Sequence, residues 1–173
     1  MNVLDKLRGG DLRSIGRSNE VAGDIKKNAS LFKTVFRGLY DSDPLIRMRS
    51  ADVIEKVTRK NPQLLSNHTS EVISILTTAK QQEVCWHMAQ IAPRLTYSPN
   101  EENEIIKALK CYLTHKSKIV RVSAMESLAN IAERNRSILN EVIKIIKVQK
   151  ATGSPAIQAR GRKLLKRLNI KGE

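Results

Sequence analysis

Apolar side chains recur along this chain at i, i+3 or i+4, and i+7 or i+8, with polar side chains between them. Leu31, Phe32, Val35 and Leu39 show the pattern, as do Ile105, Ile106, Leu109 and Leu113. That spacing lays apolar residues along one face of an α-helix. It predicts an all-α fold of four helix pairs: 29–40 with 44–60, 68–79 with 82–96, 101–114 with 118–134, and 137–150 with 155–169. The second helices carry start signals. Asp43-Pro44 and Ser154-Pro155 place an N-cap residue before a proline at the first helical position, and Ser117 can cap the third pair the same way. Gln81 and Gln82 offer no comparable signal. Ahead of the pairs, Val3, Leu4 and Leu7 form a short apolar face broken by Gly9-Gly10, and 18–27 reads as a further short helix. Residues 1–28 are expected to cap the open edge of the first pair.

The pairs are copies of one another. Ile46-Arg47-Met48-Arg49-Ser50, Val84-Cys85-Trp86-His87-Met88, Val120-Arg121-Val122-Ser123-Ala124 and Ile157-Gln158-Ala159-Arg160-Gly161 follow at steps of 38, 36 and 37 residues. A shift of 74 residues carries Ile46, Ile54 and Val57 onto Val120, Leu128 and Ile131, and Asn61, Leu64 and Leu65 onto Asn135, Ile138 and Leu139. Repetition at that period marks stacked supersecondary units within a single structural domain.

Asp43-Pro44-Leu45-Ile46-Arg47 with Ser50, Ile54 and Val57, and again Val120-Arg121 with Ala124, Leu128 and Ile131, resemble the second helix of a HEAT repeat. The resemblance covers residues 29–169 in units of about 29–60, 68–96, 101–134 and 137–169. It implies a right-handed α-solenoid whose second helices line a concave side. It also implies a binding scaffold, and a polar ladder between each turn Asp and a following Arg. Only Asp43 with Arg47 has both ladder residues; Ser117 with Arg121 keeps the Arg alone, and Ser154 with Gln158 keeps neither.

Aligned second helices define columns. Arg49, His87, Ser123 and Arg160 form one; Lys56, Arg94, Asn130 and Arg167 form another. Both are basic or polar, and between them runs a mixed column of Asp52, Gln90, Glu126 and Lys163. Ile46, Ser50, Ile54 and Val57 mark the core side, so these three columns are expected to face outward or sideways. A fourth column, Met48, Trp86, Val122 and Ala159, is apolar throughout. Two readings stand: packing between neighbouring second helices, or an apolar strip anchored by Trp86.

Charge sharpens the picture. The 173 residues carry 31 Lys and Arg against 17 Asp and Glu, a formal charge of +14. Such an excess favours acidic partners, although solubility alone also selects for charge. From residue 143 onward Lys144, Lys147, Lys150, Arg160, Arg162, Lys163, Lys166, Arg167 and Lys171 face one acid, Glu173. Cys85 and Cys111 sit in apolar helical stretches and suggest neither a disulfide framework nor a metal site. No long apolar segment suggests a leader or a membrane span, so a cytoplasmic location is the default expectation.

Catalytic signals are weak. His68, His87 and His115 fall in different units. Cys85 and His87 are two residues apart and point away from each other on a helix. No phosphate-binding glycine loop, HExxH or EF-hand loop is present, and no cofactor is implied. Some HEAT-like solenoids are glycosylases for alkylated bases with a catalytic Asp. Here Asp41 and Asp43 read as turn and cap residues, and Asp52 as an ordinary solvated position. The expectation is a non-enzymatic scaffold binding an acidic protein or peptide through Arg49, Trp86, His87, Arg94, Arg160, Arg162, Lys163 and Arg167. The alternative is sequence-nonspecific nucleic-acid binding through the same cations.

Overall fold

The computed structural model describes residues 2–169. It is all-helical, with no strand among the described residues. The helices are α1 (Ser18–Lys27), α2 (Leu31–Arg37), α3 (Pro44–Thr58), α4 (Thr69–Thr78), α5 (Gln82–Ile91), α6 (Pro99–Tyr112), α7 (Lys118–Arg134), α8 (Leu139–Thr152) and α9 (Pro155–Asn169). Short 3-10 turns extend α2 through Tyr40 and α5 through Arg94, and a further one covers Val3–Leu7. By contact the chain divides into two compact units, Met1–Leu95 and Thr96–Glu173.

In the first unit α2 packs on α3 and α4 on α5, and the second helices α3 and α5 lie side by side. The α1 helix also packs on α3. The core is aliphatic: Ile46, Val53, Ile54 and Val57 of α3 meet it at 0–1% exposure. Phe36 and Leu76 are equally closed off. Close approach is set at Gly38, where an added Cβ would lie 2.2 Å from Ser50 Oγ. In the second unit α6 pairs with α7 and α8 with α9, and α7 packs beside α9. Ile105, Leu109, Val120, Leu128, Ile131, Val142, Ile146 and Ile157 are fully buried there.

The start signals fare unevenly. The Asp43 carboxylate accepts from Leu45 N at 2.8 Å, as its position before Pro44 predicts. Ser117 makes no side-chain cap; its own N–H instead donates to His115 Nδ1 at 3.0 Å. Ser154 Oγ is buried without a hydrogen-bond partner. One signal went unread. Ser98, Pro99 and Glu101 form a capping box, so α6 starts at Pro99, two residues before the predicted start.

Candidate binding site

The cations singled out in the sequence fall into two environments. Arg49, expected on an outward column, is 1% exposed. Its guanidinium donates to the carbonyls of Leu7 at 2.7 Å, Gly9 at 2.6 Å, Asp11 at 3.2 Å and Ser14 at 3.2 Å. The N-terminal segment lies over α3 and takes up this side chain. Sequence columns missed it because the covering segment is outside the repeat.

Arg94 donates through Nη1 to Glu55 O at 2.6 Å and Thr58 Oγ1 at 2.7 Å, and through Nη2 to the Glu55 carboxylate. Glu55 is 4% exposed and also accepts from Arg59 Nη2 at 2.6 Å. Burial pushes the Glu55 carboxyl up, but hydrogen bonds from Arg59 and Arg94 and their charges outweigh it, so the net shift is downward. This is a structural ion pair between α3 and the end of α5. Its legible signal was the Glu55 to Arg59 spacing of four.

Asp52, expected to be solvated, is 7% exposed. It accepts from Lys56 Nζ at 2.6 Å and lies 3.9 Å from His87 Nε2. Burial pushes the His87 imidazole below its ordinary value, against the pull of Asp52 and Glu55. Trp86 is half-buried, with its ring centroid 4.4 Å from that of His87 and the two planes tilted by 37°. Met48 is buried, and a hollow of about 250 Å³ lies between Met48, Trp86 and the side chains of Leu12 and Ile15.

Arg47 bonds across to the next helix pair, from Nε to Gln81 Oε1 at 3.0 Å, and Gln81 Nε2 returns to Pro44 O at 2.9 Å. Gln81 stands at the position of Asp43 one repeat on, so an amide serves where the resemblance suggested a carboxylate. Arg121 makes a related bond, to Gln149 Oε1 at 2.7 Å.

In the second unit Glu126 of α7 gathers two predicted residues of α9. Arg160 Nη1 lies 2.7 Å and Arg167 Nη1 2.6 Å from its carboxylate oxygens. Arg167 also donates to Asn130 Oδ1 at 2.9 Å and its Nε lies 3.3 Å from Glu133. In this unit Glu126 of the mixed column thus neutralises an arginine from each basic column beside it.

Arg162 and Lys163 are different. Both are exposed and make no ion pair among the described residues, and Lys144, Lys147 and Lys166 share that situation. Lys150 is half-buried, with its Cβ against Gly161 where α8 and α9 approach closely. The acid of the described α8 to α9 hairpin is Glu141, held by Lys110 at 2.5 Å. This hairpin therefore presents exposed cations on both helices, Arg162, Lys163 and Lys166 within about one turn of α9 and Lys144 and Lys147 on α8. Lys171 and Glu173 lie outside the described residues.

Among the described residues no cluster of His, Cys, Asp or Glu could hold a metal ion. No helix there is long and apolar enough to cross a membrane. His68 is engaged with Glu71 at 2.6 Å and stacks on Phe36 at 4.0 Å. Cys85 is buried and Cys111 exposed.

No protein-family model matches the sequence, and no curated protein matches it. Among solved structures the chain is similar to an engineered protein determined by crystallography. The TM-score is 0.67 and the identity 15%, over 96% of this chain and 78% of that one. At that identity the likeness is one of fold alone.

Proposed function

We propose that the chain is a non-enzymatic, HEAT-like right-handed α-solenoid that binds an acidic protein segment through the α8 to α9 hairpin. The 37-residue period supports the repeat reading, as does the side-by-side packing of second helices within each unit. The observation that carries the binding reading is the separation of charge. Arg49, Arg94, Arg160 and Arg167 are spent on carbonyls and carboxylates of the chain itself. Arg162, Lys163, Lys166, Lys144 and Lys147 are exposed with no carboxylate partner among the described residues. Unpaired clustered cations keep their full field for an incoming anion and speed its encounter. A segment carrying several Asp or Glu side chains fits this surface.

The test is titration of the full chain with an oligo-glutamate peptide and with duplex DNA as salt rises. The proposal expects saturable peptide binding at ~50 mM salt that weakens as salt screens the charges. Tighter binding to DNA, with a log–log salt slope near −0.9 per phosphate contact, would instead favour the nucleic-acid reading. Binding of neither would overturn both.

A further inference from the structure

We propose that the face of α3 and α5 around Trp86 is a docking site for a looped, glycine-containing peptide segment of a partner protein. Residues 8–17 of the chain are its built-in occupant and must lift before the partner binds. This goes beyond the binding reading of the hairpin and does not depend on it.

Three observations carry the proposal. First, residues 8–17 are all exposed and contain no regular helix. Yet the segment is fastened to α3 by one buried guanidinium. Arg49 takes only main-chain carbonyls, those of residues 7, 9, 11 and 14. The turns at residues 12–13 and 16–17 and the positive-φ glycines bring these carbonyls together, so another segment with the same turns and glycines satisfies Arg49 equally well. No carboxylate pairs with this buried cation among the described residues, so the carbonyl dipoles alone offset its desolvation.

Second, the segment covers the face incompletely. Leu12 and Ile15 remain 49% and 46% exposed, and the hollow of about 250 Å³ stays open between them and Trp86. His87 lines that hollow with 7% of its side chain exposed, and its Nδ1 has no partner. A segment with a bulkier apolar side chain at the Ile15 place fills the hollow better than the chain's own does. The partner is thus a looped segment that offers carbonyls to Arg49 and an aromatic side chain to Trp86.

Third, the seat is set by glycines. Gly10 and Gly16 have φ of +80° and +53°, and an added Cβ at Gly16 would lie 2.8 Å from Arg49 Cζ. A side chain there is strained by its backbone and collides with the guanidinium. Gly16 is therefore the position from which the segment can be lifted without altering α3 or α5.

The experiment uses the full chain carrying Gly16→Val, and Trp86, the sole tryptophan, as reporter. Trypsin cleavage after Arg8, Arg13 and Arg17 is expected to quicken about tenfold, with Trp86 more open to acrylamide quenching. A fluorescent synthetic peptide copying residues 8–17 with Ile15→Phe is expected to bind Gly16→Val about tenfold tighter than the unmutated chain. Adding Arg49→Lys, which keeps the charge and loses the fork, should abolish that difference. Should Gly16→Val fail to fold by circular dichroism, Gly10→Val replaces it. Unchanged cleavage and quenching in the folded variant overturn the proposal. So does equal or absent peptide binding once the segment is released.

Discussion

The two units of the molecule hold similar numbers of cations and use them differently. Met1–Leu95 has fifteen Lys and Arg to ten Asp and Glu, whereas Thr96–Glu173 has sixteen to seven. In the first unit the conspicuous arginines are structural: Arg49 fastens the N-terminal segment and Arg94 locks α5 to α3. In the second, Arg160 and Arg167 play that part with Glu126, while Lys144, Lys147, Arg162, Lys163 and Lys166 of α8 and α9 remain exposed. An arginine column in a repeat is thus no index of a binding surface. What counts is whether a neighbouring segment supplies carbonyls or an acid to take it up.

The sharpest way to break this contrast is to truncate equivalent arginines. Arg94→Ala leaves buried Glu55 with Arg59 as its remaining partner and should cost about 1–3 kcal/mol, read by denaturant unfolding followed at Trp86. Arg167→Ala, whose partner Glu126 is 28% exposed, should cost at most about 1 kcal/mol. Equal losses would show that burial does not separate the two pairs.

Packing gives a second contrast. Gly38→Ala drives a Cβ into Ser50, with no room between α2 and α3, and should cost about 1–3 kcal/mol. Gly161→Ala meets the Lys150 Cβ at 3.0 Å and should cost less, because α9 shifts by only a few tenths of an ångström. Thermal unfolding of the two variants ranks them.

Acid should act on the first unit. Burial lowers the His87 pKa from its ordinary 6.5, so the folded chain resists a proton that the unfolded chain accepts. Stability from this group is present above pH 6.5 and is lost as pH falls below it. Melting temperatures measured from pH 7.5 down to pH 5 should therefore drop less steeply in His87→Gln than in the unmutated chain (about these pH limits). The depressed Glu55 carboxyl adds a further loss at lower pH, as protonation removes its bonds to Arg59 and Arg94.

The smallest effect on stability is expected where binding is proposed. Lys163→Ala or Lys166→Ala removes an exposed cation and should change stability by less than about 0.5 kcal/mol in chemical denaturation.

The helices were legible because apolar spacing alone decides them. The ends of α3, α7 and α9 fall within two residues of expectation, and 18–27 is the helix α1. Burial of charge was not legible. Arg49 and Asp52 lie on positions whose helical angle points away from the core, and only the docked N-terminal segment and α5 close over them. Neither neighbour is encoded in the period of α3. The Arg47 to Gln81 bond was hidden for another reason: an amide accepts a guanidinium as a carboxylate does, and the sequence offered no Asp to notice. Arg162 and Lys163 were legible as cations, and their lack of acidic partners emerged only once Glu126 was seen to choose Arg160 and Arg167.

The most direct test is the location of the binding charge. Oligo-glutamate affinity at low salt should be measured for the intact chain and two charge-reversed variants. One carries Arg162→Glu, Lys163→Glu and Lys166→Glu on α9; the other carries Lys26→Glu, Lys27→Glu and Lys33→Glu in the first unit. Both change net charge equally. The account predicts loss of binding in the α9 variant and a change of less than about threefold in the other, the part due to overall charge. Equal weakening by both would contradict it, and would reduce the hairpin to a share of a diffuse positive field.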